Sequence, residues 1–313
     1  MKWRENTELI VDYGGILKRA WVITLRYKSL WLFGLLSAIF GGGGNYNFNL
    51  RWQLQPDEFS WSKTSIEKFL PFLERFPPWP LLIFICLFIL IIIALSIFVN
   101  YLSQAALIGM VRDVEFEHKI DVGQGFKYGL SKWFPLFGIT LGIWIPWIFM
   151  AILLLGMTLL PAIFAFAFKE TALGLFFLIS GLLFLIIILI PSSISLAILD
   201  FFAGRYCVIE NLGVLESIKR GYHLLRENIG RMLIFWLIMF GVGIGIGIIL
   251  LLVFMIFAIP VTLATEVSLF LAILITIPGI IVSLFVASLV RVFLSSAWTI
   301  AFLQLFKKPL PAA

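Results

Sequence analysis

The chain has 313 residues, of which 62% are hydrophobic and only 13% are charged. A soluble core of this size cannot bury so much apolar surface, so the composition excludes an ordinary soluble protein and indicates an integral membrane protein. The net charge is +6. Because the basic residues flank apolar runs and form no continuous patch, this charge favours anionic lipid head groups as partners and argues against nucleic acid.

The N-terminal stretch GILKRAWVITLRYKSLWLFGLL, which begins at Gly15, places basic residues ahead of an apolar run. We expect a basic amphipathic helix that lies in the membrane interface. It then turns into a first span over about residues 25–40. The polar connection 41–80 follows, and an aliphatic run predicts a second span over 81–108.

A weaker copy of this layout, GQGFKYGLSKWFPLFGI from Gly123, precedes predicted spans over 134–168 and 172–200. A third copy lies between Asp200 and Phe235 and precedes predicted spans over 232–259 and 267–306. In this copy, helical spacing places five apolar residues on one stripe: Ile218, Tyr222, Leu225, Ile229 and Met232.

The three copies predict an all-α, polytopic membrane protein. Its six transmembrane helices are expected as three repeats of an interfacial amphipathic helix plus a membrane hairpin. The repeats cover about residues 14–113, 122–205 and 213–308 of a single integral membrane domain. The alternative is that any multi-spanning protein carries basic residues at its cytoplasmic helix ends, without any repeat.

Two sets of residues follow from this layout. The basic residues of the interfacial helices are candidate contacts for anionic lipid head groups: Lys18, Arg19, Arg26, Lys28, Lys127, Lys132, Lys219, Arg220 and Arg226. In the fifth span, overlapping small-xxx-small pairs predict the close approach of another helix: Gly241, Gly243, Gly245 and Gly247.

Polar side chains inside membrane spans are costly and mark candidate functional positions. Spans two, four and six contain four of them: Asn100, Gln104, Asp200 and Arg291. Superimposing these spans by the repeat places Asn100, Asp200 and Arg291 at equivalent levels. We expect Asp200 and Arg291 to form an ion pair toward the cytoplasmic side, with Asn100 nearby. The alternative is that each charge snorkels separately to the head groups.

The distribution of Lys and Arg predicts the orientation. With six spans, 17 of these residues lie on the side of the termini and 5 on the opposite side, with Arg291 inside a span. This asymmetry is a strong positive-inside signal. Both termini are therefore expected in the cytoplasm, and the connection 41–80 is expected outside.

The tract YCVIENLGVLESIKRGYHLLRENIGRMLIF, from Tyr206, resembles a known signature. It is similar to the multi-pass membrane domain attached to some glycerophosphodiester phosphodiesterases, and to related uncharacterised prokaryotic membrane proteins. The resemblance implies a six-helix bundle. It implies no catalysis, because the phosphodiesterase active site of those proteins belongs to a separate soluble barrel domain.

We expect a non-catalytic protein of a bacterial or archaeal plasma membrane, acting as a scaffold, a partner subunit of another membrane protein, or a lipid-interacting module. No histidine, carboxylate pair or metal-ligand set converges within the predicted spans, so we expect no catalytic residue, metal or cofactor. The alternative is a small-solute or lipid transporter or channel, supported by the repeats, the proline-containing helices and the polar span residues. A hydrated cavity lined by Asn100, Asp200 and Arg291 would favour transport, whereas tight apolar packing there would favour the scaffold.

Overall fold

The computed structural model describes residues 12–41, 78–118 and 120–306. Most of the predicted outer connection 41–80 lies outside these residues, as do both chain ends. The described residues form eight α-helices: α1 (Tyr13–Arg26), α2 (Ser29–Phe40), α3 (Pro78–Glu115), α4 (Val122–Ala167), α5 (Thr171–Ile209), α6 (Val214–Glu227), α7 (Ile229–Val267) and α8 (Leu269–Ala301). A short π-helix, Phe302–Phe306, follows α8.

Five of these helices, α3, α4, α5, α7 and α8, are long and apolar enough to cross a membrane. The number rises to six if α1 and α2 together form one bent span. All regular secondary structure in the described part of the chain is helical, which confirms the predicted all-α class. The apolar composition of the long helices supports a multi-pass membrane protein.

The first predicted span, 25–40, is not one helix. α1 and α2 meet at an angle of 100°. α2 has 12 residues and is therefore only about 18 Å long at 1.5 Å per residue, which is shorter than the roughly 30 Å of a hydrocarbon core. It packs closely on α8, because a Cβ atom added to Gly34 would lie 2.6 Å from the carbonyl oxygen of Ser288. α2 is thus a short helix, packed against α8, that ends at Gly41.

The second predicted interfacial helix does not exist as a separate element. α4 runs without a break from Val122 to Ala167 and contains three prolines. One face of its first turns is buried at Gly125 and Gly129, while Lys127 and Leu130 on the other face are exposed. A Cβ atom added to Gly129 would lie 2.7 Å from Cγ of Leu102 in α3, and one added to Gly125 would overlap the ring of Phe33 in α2. This tight packing makes the start of α4 part of the bundle, so it is not the separate interfacial helix that the repeat prediction requires.

α6 is a separate short helix, but its packed face differs from the predicted apolar stripe. The residues that it buries are Ser217, Gly221 and Leu224. A Cβ atom added to Gly221 would lie 3.1 Å from Leu199 and 3.3 Å from the backbone nitrogen of Ala203. The predicted stripe residue Tyr222 is 57% exposed. Small side chains therefore dock α6 onto α5. Of the predicted stripe, Ile218 and Leu225 are partly buried against the core and Met232 is buried, whereas Tyr222 and Ile229 face outward.

The main core lies where α3, α5 and α8 end and where α4 and α7 begin. Trp298 of α8 occupies its centre and is 1% exposed. Its ring stacks on that of Phe201 at 4.7 Å and meets that of Phe235 edge-on at 4.9 Å. The opposite ends of the helices bury little; every side chain of α3 from Leu82 to Leu95 is exposed. Such an extended apolar surface is suited to contact with lipid.

Candidate functional site

A cavity of about 710 Å³ lies beside the core, between α2, α3, α4, α5 and α8. This volume falls within the range of small-molecule sites. All four residues of the predicted intramembrane cluster line it: Asn100, Gln104, Asp200 and Arg291. Each of them is half-buried, although most of their neighbours in the chain are buried. The cavity thus accounts for the accessibility of polar groups inside otherwise packed helices.

One wall of the cavity is a polar stripe on α3. Ser96, Asn100 and Gln104 recur every four residues, and this spacing places them on one face of the helix. The Gln104 side-chain amide donates a hydrogen bond to Oδ1 of Asn100 at 3.2 Å. The stripe therefore presents hydroxyl and amide groups to the cavity along two turns of α3.

A second wall joins α4 to α5 through Asp200. The hydroxyl of Thr140 donates to Asp200, with Oγ1 lying 3.1 Å from Oδ1 and 3.5 Å from Oδ2. Tyr101 and Trp144 also line the cavity. Thr140 carries no distinct signal in the sequence, because a single hydroxyl inside a span can bond to its own helix.

The third wall carries Arg291 of α8. Its Nη2 atom donates to the carbonyl oxygen of Gly41 at 3.2 Å. Gly41 is the residue that ends α2. The last carbonyl groups of a helix carry partial negative charge and have no partner within the helix, so a guanidinium there satisfies and stabilises them. Gly41 also lies beside α3, because a Cβ atom added to it would be 2.8 Å from Oδ1 of Asn100.

Arg205 is a lining residue that the sequence analysis missed. It is 3% exposed, and its Nη1 atom donates to the carbonyl oxygen of Phe201 at 2.7 Å. Its guanidinium lies over the Phe201 ring at 5.4 Å. The predicted fourth span stopped near Asp200, which assigned Arg205 to a cytoplasmic segment. The apolar residues Cys207, Val208 and Ile209 were the available signal that the helix continues.

The predicted ion pair between Asp200 and Arg291 stays a prediction. Both side chains line the same cavity. Asp200 accepts a hydrogen bond from Thr140, and Arg291 donates one to Gly41. The structure therefore places both Asp200 and Arg291 around one cavity.

A family model described as "Family of unknown function (DUF7544)" matches residues 19–308. The chain belongs to this family. No curated protein and no solved structure matches the chain. The resemblance to the membrane domain attached to glycerophosphodiester phosphodiesterases stays a prediction. The matched region of DUF7544 includes every helix that lines the cavity.

The basic residues predicted to contact lipid head groups are mostly exposed in this DUF7544 member. Eight are exposed: Lys18, Arg19, Arg26, Lys28, Lys127, Lys219, Arg220 and Arg226. Lys132 is half-buried and donates to the side-chain oxygen of Asn211. Arg19 pairs with Glu115 at 2.7 Å, and Arg220 pairs with Glu210 at 2.9 Å and Glu216 at 2.8 Å. Because these side chains are exposed, they are accessible to lipid head groups.

Three of the predicted packing glycines of α7, Gly241, Gly245 and Gly247, do not pack against another helix in the described part of the chain. A Cβ atom added to Gly241, Gly245 or Gly247 would have no atom within 4 Å. The close approach of α7 and α8 occurs instead at Gly279, where an added Cβ atom would lie 3.0 Å from Cγ of Phe257. Small residues permit close packing of helices, but the rest of the bundle determines which helix packs against them.

No group of three or more His, Cys, Asp or Glu side chains among the described residues could hold a metal ion. The described lining contains one carboxylate, Asp200, and two guanidinium groups, Arg205 and Arg291. Hydroxyl and amide groups supply the rest of its polar atoms. This set is suited to binding a polar ligand by hydrogen bonds and charge.

Proposed function

We propose that this protein binds a small polar solute or a lipid head group in the cavity and transports it, with Asn100, Gln104, Asp200 and Arg291 as ligand contacts. The observation that supports the proposal is that these four costly polar residues surround open space. A scaffold would gain stability by closing that space, since protein interiors are close-packed. Polar groups lining a cavity inside spanning helices are typical of substrate pathways.

The short helix α2 supports the same proposal. It ends beside Asn100 and Arg291, and a bend of 100° separates it from α1. Discontinuous helices in transporters place helix ends and irregular backbone beside the substrate site. The end of α2 at Gly41 occupies such a place next to the cavity.

A lipid-interacting scaffold or partner subunit is the second candidate. It is supported by the exposed basic side chains of α1 and α6 and by Gly241, Gly245 and Gly247 of α7, which meet no helix within the described chain. In this proposal anionic lipids contact the basic residues, and a membrane protein partner packs on Gly241, Gly243, Gly245 and Gly247. The two functions can coexist, because the basic residues and the glycines do not line the cavity.

For the arrangement in the membrane we propose six spans in a prokaryotic plasma membrane, with α1 and α2 counted as one. Both termini lie in the cytoplasm in this proposal, as the distribution of Lys and Arg predicts. The core, the cavity and the helix α6 then belong to the cytoplasmic half. The organisation in three repeats remains part of this proposal, with the second unit lacking a separate interfacial helix.

Cysteine accessibility tests the proposed cavity. Both native cysteines, Cys86 and Cys207, are free thiols. They are first replaced by alanine, and the melting temperature of this cysteine-free protein is compared with that of the wild type. Ser295 lines the cavity, Ser180 is exposed on the apolar surface of α5, and Ser288 is 2% exposed. Each is changed singly to cysteine. The probe is 2-sulfonatoethyl methanethiosulfonate, a small anion that does not cross membranes.

Because the reacting species is the thiolate, which forms in water, Ser295→Cys should react at least about tenfold faster than Ser180→Cys or Ser288→Cys. In sealed proteoliposomes, a transport protein should be modified at Ser295→Cys by reagent on either side. Reaction as slow as that of Ser288→Cys would contradict a hydrated cavity. Modification from one side alone would contradict transport.

A further inference from the structure

The cavity lining along α3 is polar in its middle, at Gln104 and Asn100, and becomes more apolar toward Ile97 and Ile93. Ser96, which lies between these two isoleucines, donates its hydroxyl to the carbonyl oxygen of Ile92 in its own helix. The eleven residue steps of helix from Gln104 to Ile93 correspond to about 16 Å. This length exceeds that of a small hydrophilic solute, so a ligand that used the whole stretch would meet both chemistries.

The apolar end of this stretch reaches the outer surface of the bundle. Ile93 is 53% exposed and Ile97 is 36% exposed, and both also line the cavity. They continue directly into the exposed apolar surface of α3 that begins at Leu82. An apolar chain can therefore run from the cavity over Ile97 and Ile93 onto a lipid-facing surface, since the hydroxyl of Ser96 beside them is already bonded to the carbonyl oxygen of Ile92.

The polar end is suited to an anionic oxygen group. Two of the three charged lining residues are arginines, and the third is Asp200, which lies on the same helix as Arg205. Arg291 lies on a separate helix. A guanidinium has five N–H donors in a fork that matches phosphate and carboxylate groups. One N–H bond of Arg291 goes to Gly41, which holds the group in place beside Asn100.

We propose that the cavity binds an anionic membrane lipid, with its phosphate or carboxylate on Arg291 and Asn100 and an acyl chain leaving over Ile97 and Ile93. This inference rests on the proposed function, since it names the substrate class of the same cavity. The same anionic group could come from a soluble phosphate ester, and the experiment distinguishes the two sources. Lateral entry along α3 gives the lipid access from the bilayer.

The test uses the full chain with Ser295→Cys in an uncharged detergent after exhaustive removal of lipid. The measured quantity is the rate of modification by 2-sulfonatoethyl methanethiosulfonate. Three probes are added separately: phosphatidylglycerol, phosphatidylcholine with the same acyl chains, and sn-glycerol 3-phosphate. Phosphatidylglycerol should slow modification about fivefold more than either of the others, as one additional charge contact corresponds to roughly this factor.

Two variants assign the effect to the cavity. Arg291→Gln should abolish the preference for phosphatidylglycerol, whereas Arg231→Gln, which removes an exposed charge outside the lining, should retain it. Ile97→Asn places a polar side chain on the proposed path of the acyl chain and should weaken protection by phosphatidylglycerol severalfold. Because Ile97 is partly exposed, this variant tests the site even if the Arg291 variant does not fold. Melting temperatures verify that each variant is folded.

Protection by phosphatidylcholine equal to that by phosphatidylglycerol would overturn the anionic selectivity. Equal protection by glycerol 3-phosphate would assign the site to a soluble anion and overturn the lipid. If Ser295→Cys stays unreactive both alone and combined with Arg291→Gln, the hydrated cavity itself is wrong and the proposed function fails. If it reacts but no probe slows it, only the lipid inference fails.

Discussion

Arg291 of α8 donates a hydrogen bond of 3.2 Å to the carbonyl oxygen of Gly41, the residue that ends α2, although 250 positions separate them in the chain. This contact joins the beginning of the described chain to its last long helix. It also explains how a guanidinium is accommodated among apolar helices. The end of a helix supplies oxygen atoms with partial negative charge, which stabilise a nearby cation.

We expect Gly41→Ala to destabilise the protein by about 1–3 kcal/mol, the usual cost of overpacking. The added methyl group would overlap the carbonyl oxygen of Ser37 and lie 2.8 Å from Oδ1 of Asn100. The measurement is the free energy of unfolding in detergent. Gly156→Ala in α4 is the matched control, since nothing lies within 4 Å of its added Cβ atom. The control should be neutral or more stable by up to about 1 kcal/mol, because alanine favours helix.

A Gly41→Ala variant as stable as the control would show that α2 does not end against Ser37 and Asn100 in the way described. A changed rate of modification of Ser295→Cys in the same variant would place the change at the cavity.

Double-mutant cycles compare the two partners considered for Asp200. The Thr140 hydroxyl donates to its carboxylate at 3.1 Å, so Thr140→Val and Asp200→Ala should couple by about 1.5–3 kcal/mol, the range for a hydrogen bond to a charged group. Asp200 and Arg291 line the same cavity. The coupling between Asp200→Ala and Arg291→Ala tests the ion pair that the repeat register predicts.

The measurement for both cycles is the free energy of unfolding of the single and double variants in one detergent. A larger coupling for Asp200 with Arg291 than for Asp200 with Thr140 would establish the ion pair that the repeat register predicts.

Exposed basic residues of α6 should make the protein sensitive to the charge of the bilayer. Lys219 and Arg226 are both exposed, and each charge near an anionic surface contributes roughly 1 kcal/mol. Replacing both by Gln should reduce the rise in melting temperature that phosphatidylglycerol produces. The same variant in phosphatidylcholine serves as the control and should melt like the wild type. An unchanged response to phosphatidylglycerol would remove these residues from the lipid contacts.

The candidate site illustrates which features a sequence can reveal. Asn100, Gln104, Asp200 and Arg291 could be selected because polar residues inside apolar runs are rare and costly. Arg205 and Thr140 could not, for different reasons. Arg205 stood just beyond the expected end of a span, and helix ends are placed poorly by hydropathy. Thr140 matters only through its contact with Asp200, which lies 60 positions away.

The sequence by itself determined the helical class and the number of apolar segments, because a lipid bilayer requires each spanning segment to satisfy its backbone internally. It also determined which polar residues were candidates, since their cost depends on local composition. Only the tertiary structure decided that these residues surround a cavity, that α2 stops at Gly41 and that α4 is continuous from Val122. These features depend on which helices pack together, and contacts between distant residues such as Gly41 and Arg291 leave no periodic signal in the chain.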